Sequence, residues 1–357
     1  MIRPPDYVLG LQPYVPGKPL EELERELGIA NSIKLASNEN PLGPSPKALE
    51  ALKNSFSDIN RYPDGAGYYL RKVLAEELSV REDELILGNG SNELLDIATR
   101  TFMQDGDEAV MAVPSFVVYA MAVQGVGGRS LQVPLKDYTL DLKAMADALT
   151  PRTKMVFIAN PNNPTGTINR KDEFDELMEK VPDNILVVLD EAYYEYVSSP
   201  DYADSMQYLH TEKNVLILRT FSKIYGLAGL RIGYGIAKKE ILDDMNRLRE
   251  PFNTNAIAQR AALAALKDPE HVSHSRNINE AGKTYLYSEL DSLGVKYVPT
   301  EANFLYLPVE KATAVYESLL KMGVIIRPMG PQAIRVTIGL PEENRRFIEA
   351  FKTVVGP

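Results

Sequence analysis

The sequence predicts an α/β protein: a mostly parallel, seven-stranded sheet with helices on both faces, followed by a smaller C-terminal α/β domain. Two observations carry this. From Tyr68 onward, short runs of Val, Ile and Leu alternate with amphipathic stretches, the pattern of strands covered on both faces by crossover helices. The second is size, since 357 residues with 45% hydrophobic content exceed one average core at about 150 residues per domain.

Residues 1–32 read as an arm. Pro4, Pro5, Pro13, Pro16 and Pro19 prevent a regular start, a short charged helix spans Leu20 to Leu27, and Gly28 ends it. An arm so rich in proline suits packing on another surface, and a frayed terminus fits the composition as well. Leu35 to Pro46, LASNENPLGPSP, has too many turn residues for a regular element and is expected as a loop.

Residues 33–240 are expected to form the large domain. Its pattern runs helix to Ser79, strand Glu84 to Gly88, helix Ser91 to Met103, strand Ala109 to Val113, helix to Gly125, strand Arg129 to Leu135 and helix Leu142 to Leu149. Strand Met155 to Asn160, helix Lys171 to Val181 and strands Ile185 to Asp190 and Val215 to Phe221 follow, and Ile232 to Ala237 fits an antiparallel edge strand. Residues 241–357 are expected as the small domain. Helical periodicity covers Ile241 to Leu266, broken near Pro251, then Val272 to Leu293. Strands near Lys296 to Val298, Asn303 to Leu307, Val324 to Arg327 and Ala333 to Ile338 come next, with helices Ala312 to Met322 and Pro341 to Val354.

With 39 basic and 49 acidic residues the formal charge is −10, and no Lys/Arg block occurs. That balance argues against a nucleic-acid partner or an anionic membrane surface and favours small-molecule substrates. The chain has no cysteine, which excludes disulfides, thiolate catalysis, iron–sulfur clusters and Cys-based zinc, and fits the cytoplasm. No apolar leader opens it and no run reaches the ~20 apolar residues of a membrane helix, so a soluble, unprocessed protein is expected. Of the three histidines, His271 and His274 are spaced to share a helical face but have no third ligand nearby, so no metal is expected.

Chemistry concentrates in Thr220 to Tyr234, TFSKIYGLAGLRIGY, directly after the apolar run Val215 to Leu218. A lysine just past a buried strand stands where a parallel sheet presents its active-site edge, and its amine can condense with an aldehyde. Ser222 and Arg231 would flank Lys223 as phosphate ligands. An isolated Ser-Lys pair is usually a solvated loop; the two glycines and the arginine at fixed spacing distinguish this one.

The loop Gly88-Asn89-Gly90-Ser91-Asn92 offers backbone N–H groups and a helix N-terminus to the same phosphate, although a plain serine N-cap fits it too. Gly282-Lys283-Thr284 lacks the first glycine of a P-loop and lies in a helical pattern, and no GxSxG elbow occurs. Asn160 to Gly166, NPNNPTG, and Asp190 both follow buried strands. An aspartate there is commonly an exposed turn residue; its alternative is to keep a pyridine nitrogen protonated. Arg335 interrupts the alternating strand Ala333 to Ile338, with Arg327 eight residues earlier; by residue type alone it reads as a surface charge facing water.

The pattern SKxxGLxGxR resembles the cofactor-lysine signature of fold-type I pyridoxal-phosphate aminotransferases, and the other motifs follow in that family's order along essentially the whole chain. The resemblance implies pyridoxal 5'-phosphate as cofactor. Lys223 then joins the cofactor aldehyde, Asp190 holds the pyridine nitrogen, and Tyr193 of Asp-x-x-Tyr shares the phenolic oxygen with Asn163 of NPTG. Phe116 matches the ring-stacking position, where relatives often carry Tyr; it keeps the stack without the hydroxyl, and core packing suits it equally. Gly90, Ser91, Asn92, Ser222 and Arg231 surround the cofactor phosphate. Lys223, Asp190 and Tyr193 are the expected catalytic residues. The resemblance also implies a homodimer in which Tyr62, of Arg61-Tyr62-Pro63-Asp64, reaches the neighbouring subunit's cofactor phosphate.

The arm LQPYVPGK, the loop KLASNENPLG and RYPD resemble the branch of that family whose substrates are histidinol phosphate and glutamate or 2-oxoglutarate, a step of histidine biosynthesis. That branch implies Tyr14 on the substrate phosphate, Asn40 at the substrate, and Arg335 with Arg327 as its anion anchor. An aromatic or broad-range aminotransferase, or a threonine-phosphate decarboxylase, would share every cofactor residue and differ only in the substrate pocket. A DNA-binding regulator on this fold would need a further module for which neither the length nor the acidic charge leaves room.

Overall fold

A computed structural model describes residues 2–355. The arm contains one helical turn, α1 (Asp6–Leu9), and α2 (Leu20–Leu27), which ends on Gly28 at φ 64°. β1 (Ile33–Lys34) and α3 (Pro46–Lys53) precede α4 (Tyr68–Leu78). Next come β2 (Leu85–Gly88), α5 (Ser91–Phe102), β3 (Glu108–Val113), α6 (Val118–Gly125), β4 (Arg129–Pro134) and α7 (Leu142–Asp147). β5 (Thr153–Ala159), α8 (Lys171–Lys180), β6 (Leu186–Asp190), β7 (Asn214–Thr220) and β8 (Gly233–Ala237) complete the central region. The remainder is α9 (Lys239–Asn246), α10 (Ala256–Leu266), α11 (Pro269–Ser292), β9 (Phe304–Pro308), α12 (Ala312–Lys321), β10 (Val324–Ile325), β11 (Arg327–Pro328), β12 (Ala333–Thr337) and α13 (Pro341–Val355).

Strands β2 to β8 form one seven-stranded sheet in the order β2-β8-β7-β6-β5-β3-β4, parallel from β3 to β7. Alternate residues bury into opposite cores. Val156, Ile158, Val187, Leu189, Val215 and Ile217 face a cluster that includes α4, α7, α8 and α10, whereas Met155, Phe157, Val188, Leu216 and Leu218 face one with α5, α6 and α9. Truncating a fully buried side chain such as Phe157 to alanine would cost about 3–5 kcal/mol.

The strand at Ile232 to Ala237 is antiparallel as expected but does not lie at the edge. β8 sits between β7 and β2, antiparallel to both, and β2 takes the edge. Every residue of β8 is buried, as an interior strand requires.

β9, β12 and β11 form a three-stranded antiparallel sheet, and β1 pairs in parallel with β10. With α11, α12 and α13 they enclose a separate core. Residues 33–34 therefore join this smaller part of the fold, while α9, which begins at Lys239, and α10 bury Ile241, Leu242, Ala258 and Ala262 against the large sheet. The expected strand at Lys296 to Val298 is reduced to a single bridge between Val298 and Tyr306. The turn-rich loop ends one residue earlier than expected, because Ser45 accepts the Ala48 N–H and Pro46 starts α3.

Candidate active site

The parallel strands β3, β5, β6 and β7 all end at one edge of the sheet, and the chain leaving each lines a single cavity of about 550 Å³. The small sheet closes it from the other side through Arg327, Met329 and Arg335.

One end of the cavity is a cluster of donors. α5 begins at Ser91 with no side chain capping it, so Ser91 and Asn92 present the positive end of a helix to the cavity they line. Two glycines make room. Gly90 has φ 80°, and a Cβ there would overlap the Arg231 guanidinium; a Cβ on Gly233 would lie 2.7 Å from the Ser91 nitrogen. Arg231 donates from Nη1 to the Ser222 hydroxyl at 3.2 Å and to the Ala228 carbonyl at 3.3 Å, neither of them a carboxylate.

At the centre, Lys223 Nζ donates to the Ser37 carbonyl at 3.3 Å and stands 5.5 Å from the centre of the Tyr193 ring. Asp190 closes β6 and is buried. Burial raises its carboxyl to about 6, offset in part by the Tyr119 hydroxyl, the Ala192 N–H and the Lys223 charge. Tyr193 oxygen accepts from Asn38 Nδ2 at 2.9 Å and lies 3.5 Å from Asn163 Nδ2. Phe116 lines the cavity and meets Tyr119 edge-on at 5.5 Å; Tyr119 stacks in turn on Phe157.

The far end is dominated by Arg335. It donates from Nη1 to Asn163 Oδ1 and from Nη2 to the Ala36 carbonyl at 2.8 Å, lies over Phe304, and leaves its buried Nε without a partner. Burial pulls its pKa down. Arg327 donates to the Val15 carbonyl at 2.7 Å and stands 5.5 Å from the Tyr14 ring, so the arm is held at the mouth with Tyr14 half-exposed.

Two expected residues lie elsewhere. Asn40 is committed to scaffold: its amide donates to the Ile224 carbonyl at 2.7 Å and the Ser275 hydroxyl at 2.9 Å, and it accepts the Leu42 N–H. Tyr62 is 82% exposed, stacked on Phe252 and outside this chain's cavity. The sequence reading missed Asn38 and Tyr119, both lining the cavity. A signal existed for each: Asn38 belongs to the same asparagine-rich loop as Asn40, and Tyr119 follows Phe116 by one helical turn.

A doubly covered sheet whose strand ends gather an amine, a buried carboxylate and a phosphate-sized set of donors defines an enzyme built around a phosphorylated aldehyde cofactor. The chain belongs to the aminotransferase class I and II family, which matches residues 30–351. It is 52% identical over 354 residues to a histidinol-phosphate aminotransferase of Moorella thermoacetica, covering 98% of this chain and 92% of the relative. Histidinol-phosphate aminotransferase 1 of Nitrosococcus oceani is 47% identical over 353 residues, covering 98% and 95%. Among solved structures, histidinol-phosphate aminotransferase from Sinorhizobium meliloti in complex with pyridoxal-5'-phosphate superposes with a TM-score of 0.91 at 27% identity, covering 99% of each chain. The residues present fit that group. A cradle kept free of Cβ atoms at Gly90 and Gly233 adjoins an arginine without a carboxylate, and the buried Asp190 stands apart from it.

Proposed function

We propose that the protein is an aminotransferase that uses pyridoxal 5'-phosphate to exchange an amino group between histidinol phosphate and 2-oxoglutarate, giving imidazole-acetol phosphate and glutamate, in histidine biosynthesis. The observation that carries it is Arg335. A guanidinium only 9% exposed, with a free Nε and no carboxylate among its hydrogen-bond partners, is costly unless an anion completes it. The cavity thus offers two anion sites, one at each end, with an amine and a carboxylate between them.

When bound, pyridoxal phosphate supplies an aldehyde to take up the amino group and a protonated ring to accept the electron pair released at the substrate carbon. Ser91, Asn92, Ser222 and Arg231 would hold its phosphate, Asp190 its ring nitrogen, Tyr193 and Asn163 its ring oxygen, and Phe116 its face. Lys223 would have two tasks: to hold the aldehyde at rest and, as a free amine, to take a proton at Nζ from the substrate carbon and deliver it to the former aldehyde carbon. Asp190, ionised above about pH 6, keeps a negative charge where the ring nitrogen needs its proton. Arg335 pairs with the carboxylate or phosphate of the substrate through parallel N–H groups, and Tyr14 donates to the substrate phosphate. Arg327, which also holds the arm, adds positive charge.

We place the protein in the cytoplasm on the strength of its cysteine-free sequence; no described helix is long and apolar enough to cross a membrane. We also propose a homodimer. Tyr62 and Phe252 form an exposed aromatic pair outside the chain's own cavity, a surface suited to a second copy whose site Tyr62 would complete.

The test is to load the protein with pyridoxal phosphate and follow the cofactor spectrum with single amines. Histidinol phosphate should convert it with a higher kcat/KM than phenylalanine, and threonine phosphate should release no carbon dioxide. Preference for phenylalanine, or decarboxylation, would overturn the assignment.

A further inference from the structure

A phenol oxygen has two lone pairs and one hydrogen, so what occupies the lone pairs decides where the hydrogen points. At Tyr193 one lone pair is taken by Asn38 Nδ2 at 2.9 Å. Asn38 is itself fixed at three atoms. Its backbone N–H donates to Thr337 Oγ1 at 2.9 Å, the Thr337 hydroxyl donates to Asn38 Oδ1 at 3.1 Å, and Asn303 Nδ2 donates to the Asn38 carbonyl at 3.1 Å. The residue is 1% exposed and has φ 56°, a left-handed conformation that asparagine adopts more readily than bulkier residues. Because Oδ1 faces the Thr337 hydroxyl, the amide turns its N–H, not its oxygen, to the phenol.

We infer that Asn38 is a positioning residue for the reaction: clamped by Thr337 and Asn303, it fills a lone pair of Tyr193 and directs the phenol hydrogen into the cavity, where it donates to the ring oxygen of the cofactor. The inference rests on the reading that Tyr193 meets that oxygen. It explains why the small sheet reaches the centre of the site. Arg335 and Thr337 alternate onto one face of β12, and both hold an asparagine amide whose N–H faces the same phenol, Asn163 and Asn38. The charged groups that line the cavity with the phenol are Lys223 after β7, Asp190 on β6, Arg335 on β12, Glu39, Arg231 and Arg327, the phenols of Tyr119 and Tyr196 lie near it as well, and the test leaves all of them in place.

The experiment is a pH titration of the visible band of the enzyme loaded with pyridoxal phosphate. Tyr193→Phe should raise the midpoint, since a donor to the ionised ring oxygen is lost. Asn38→Ala should raise it by about half a unit to one unit, because the phenol becomes a weaker and less directed donor. Asn38→Asp offers an acceptor that captures the phenol hydrogen and should raise it at least as far as Tyr193→Phe. Adding Asn38→Ala to Tyr193→Phe should move it no further. Thr337→Val, which removes the clamp and keeps the shape, should give part of the shift with the thermal midpoint recorded alongside, and it carries the test if Asn38→Ala fails to fold. An unchanged midpoint in Asn38→Ala or Thr337→Val, a mild effect of Asn38→Asp, or additive shifts in the double variant would overturn the role of Asn38 while leaving Tyr193 in place. If Tyr193→Phe itself leaves the midpoint unmoved, the reading of Tyr193 falls and the inference with it.

Discussion

Tyr119 donates its hydroxyl hydrogen to Asp190 Oδ2 across 2.8 Å, from α6 to the last residue of β6. Both groups are buried, and burial is the largest influence on each. It pushes the phenol well above its ordinary range, so the phenol stays a donor, and it raises the Asp190 carboxyl to about 6, a rise that the Tyr119 hydrogen bond opposes.

Tyr119→Phe removes that opposition and should push the carboxyl further up. A hydrogen bond to a charged group is worth about 1.5–3 kcal/mol, or roughly one to two pH units. Infrared titration of the cofactor-free protein should show the Asp190 carboxyl ionising at a pH higher by that amount. The loaded enzyme should lose activity toward acid pH sooner than the parent. An unshifted carboxyl would remove Tyr119 from the control of Asp190.

Glu195 lies behind the site, buried, with neither carboxyl oxygen hydrogen-bonded. Burial pushes its carboxyl up from 4.5 to about 8. A carboxyl whose folded value lies above its unfolded value binds its proton more tightly in the folded state. Its contribution to stability is whole below the unfolded value and is lost as pH rises to about 8. Glu195→Gln keeps the shape without the titration. It should unfold at higher urea than the parent near pH 8, by on the order of a few kcal/mol, with little difference near pH 4. Asp190 contributes with the same sign in both proteins and cancels. Equal pH slopes for the two would show that Glu195 is ionised in the folded protein.

The parts of this site that were legible in the sequence are those written in local chemistry. Lys223 and Arg231 share one short glycine-punctuated stretch, and Asp190 ends an apolar run whose burial on both faces could be read from its composition. What was not legible depends on long-range pairing or on a single dihedral. The interior place of β8 follows from its pairing with β2, nearly 150 residues earlier in the chain. Nothing in the loop's sequence separates Asn38 from Asn40: the first, at φ 56°, donates to Tyr193, while the second donates to Ile224 and Ser275. The helix α3 is hard to read from the sequence although Ser45 and Pro46 form a cap and first-turn pair, because the neighbouring proline and glycine signals mask it.

Sharing of sites between two copies predicts complementation. Tyr62→Ala and Lys223→Ala should each be strongly impaired alone, and mixed dimers should regain activity, because one of their two sites has both residues intact. The measurement is activity after subunit exchange, with exchange itself verified by differently tagged copies. Absence of recovery in verified mixed dimers would assign Tyr62 to ordinary surface packing with Phe252.

The two ends of the substrate should respond differently to Arg335 and Tyr14. Arg335 lines the cavity and, under the proposed reading, pairs with the anion of either substrate; removing one partner of a desolvated charge pair costs about 2–5 kcal/mol, which at tenfold per 1.4 kcal/mol is tens to thousands of fold. Arg335→Ala should therefore lower kcat/KM in both half-reactions, with histidinol phosphate and with glutamate. The loss includes a second effect, since Asn163 Oδ1 is freed and its amide can turn away from Tyr193. Arg335→Lys keeps the charge but not the parallel pair of donors, and should fall between. Tyr14 sits half-exposed on the arm, beside Arg327, and under the proposed reading it would contribute only its hydroxyl. Tyr14→Phe deletes one hydrogen bond to a charged group, about 1.5–3 kcal/mol, and should lower the histidinol phosphate half-reaction roughly tenfold or more while leaving that of glutamate nearly unchanged. Single-turnover measurement of each half-reaction separates the cases. Equal losses for both substrates in Tyr14→Phe, or normal use of glutamate by Arg335→Ala, would show that the cavity does not divide recognition in this way.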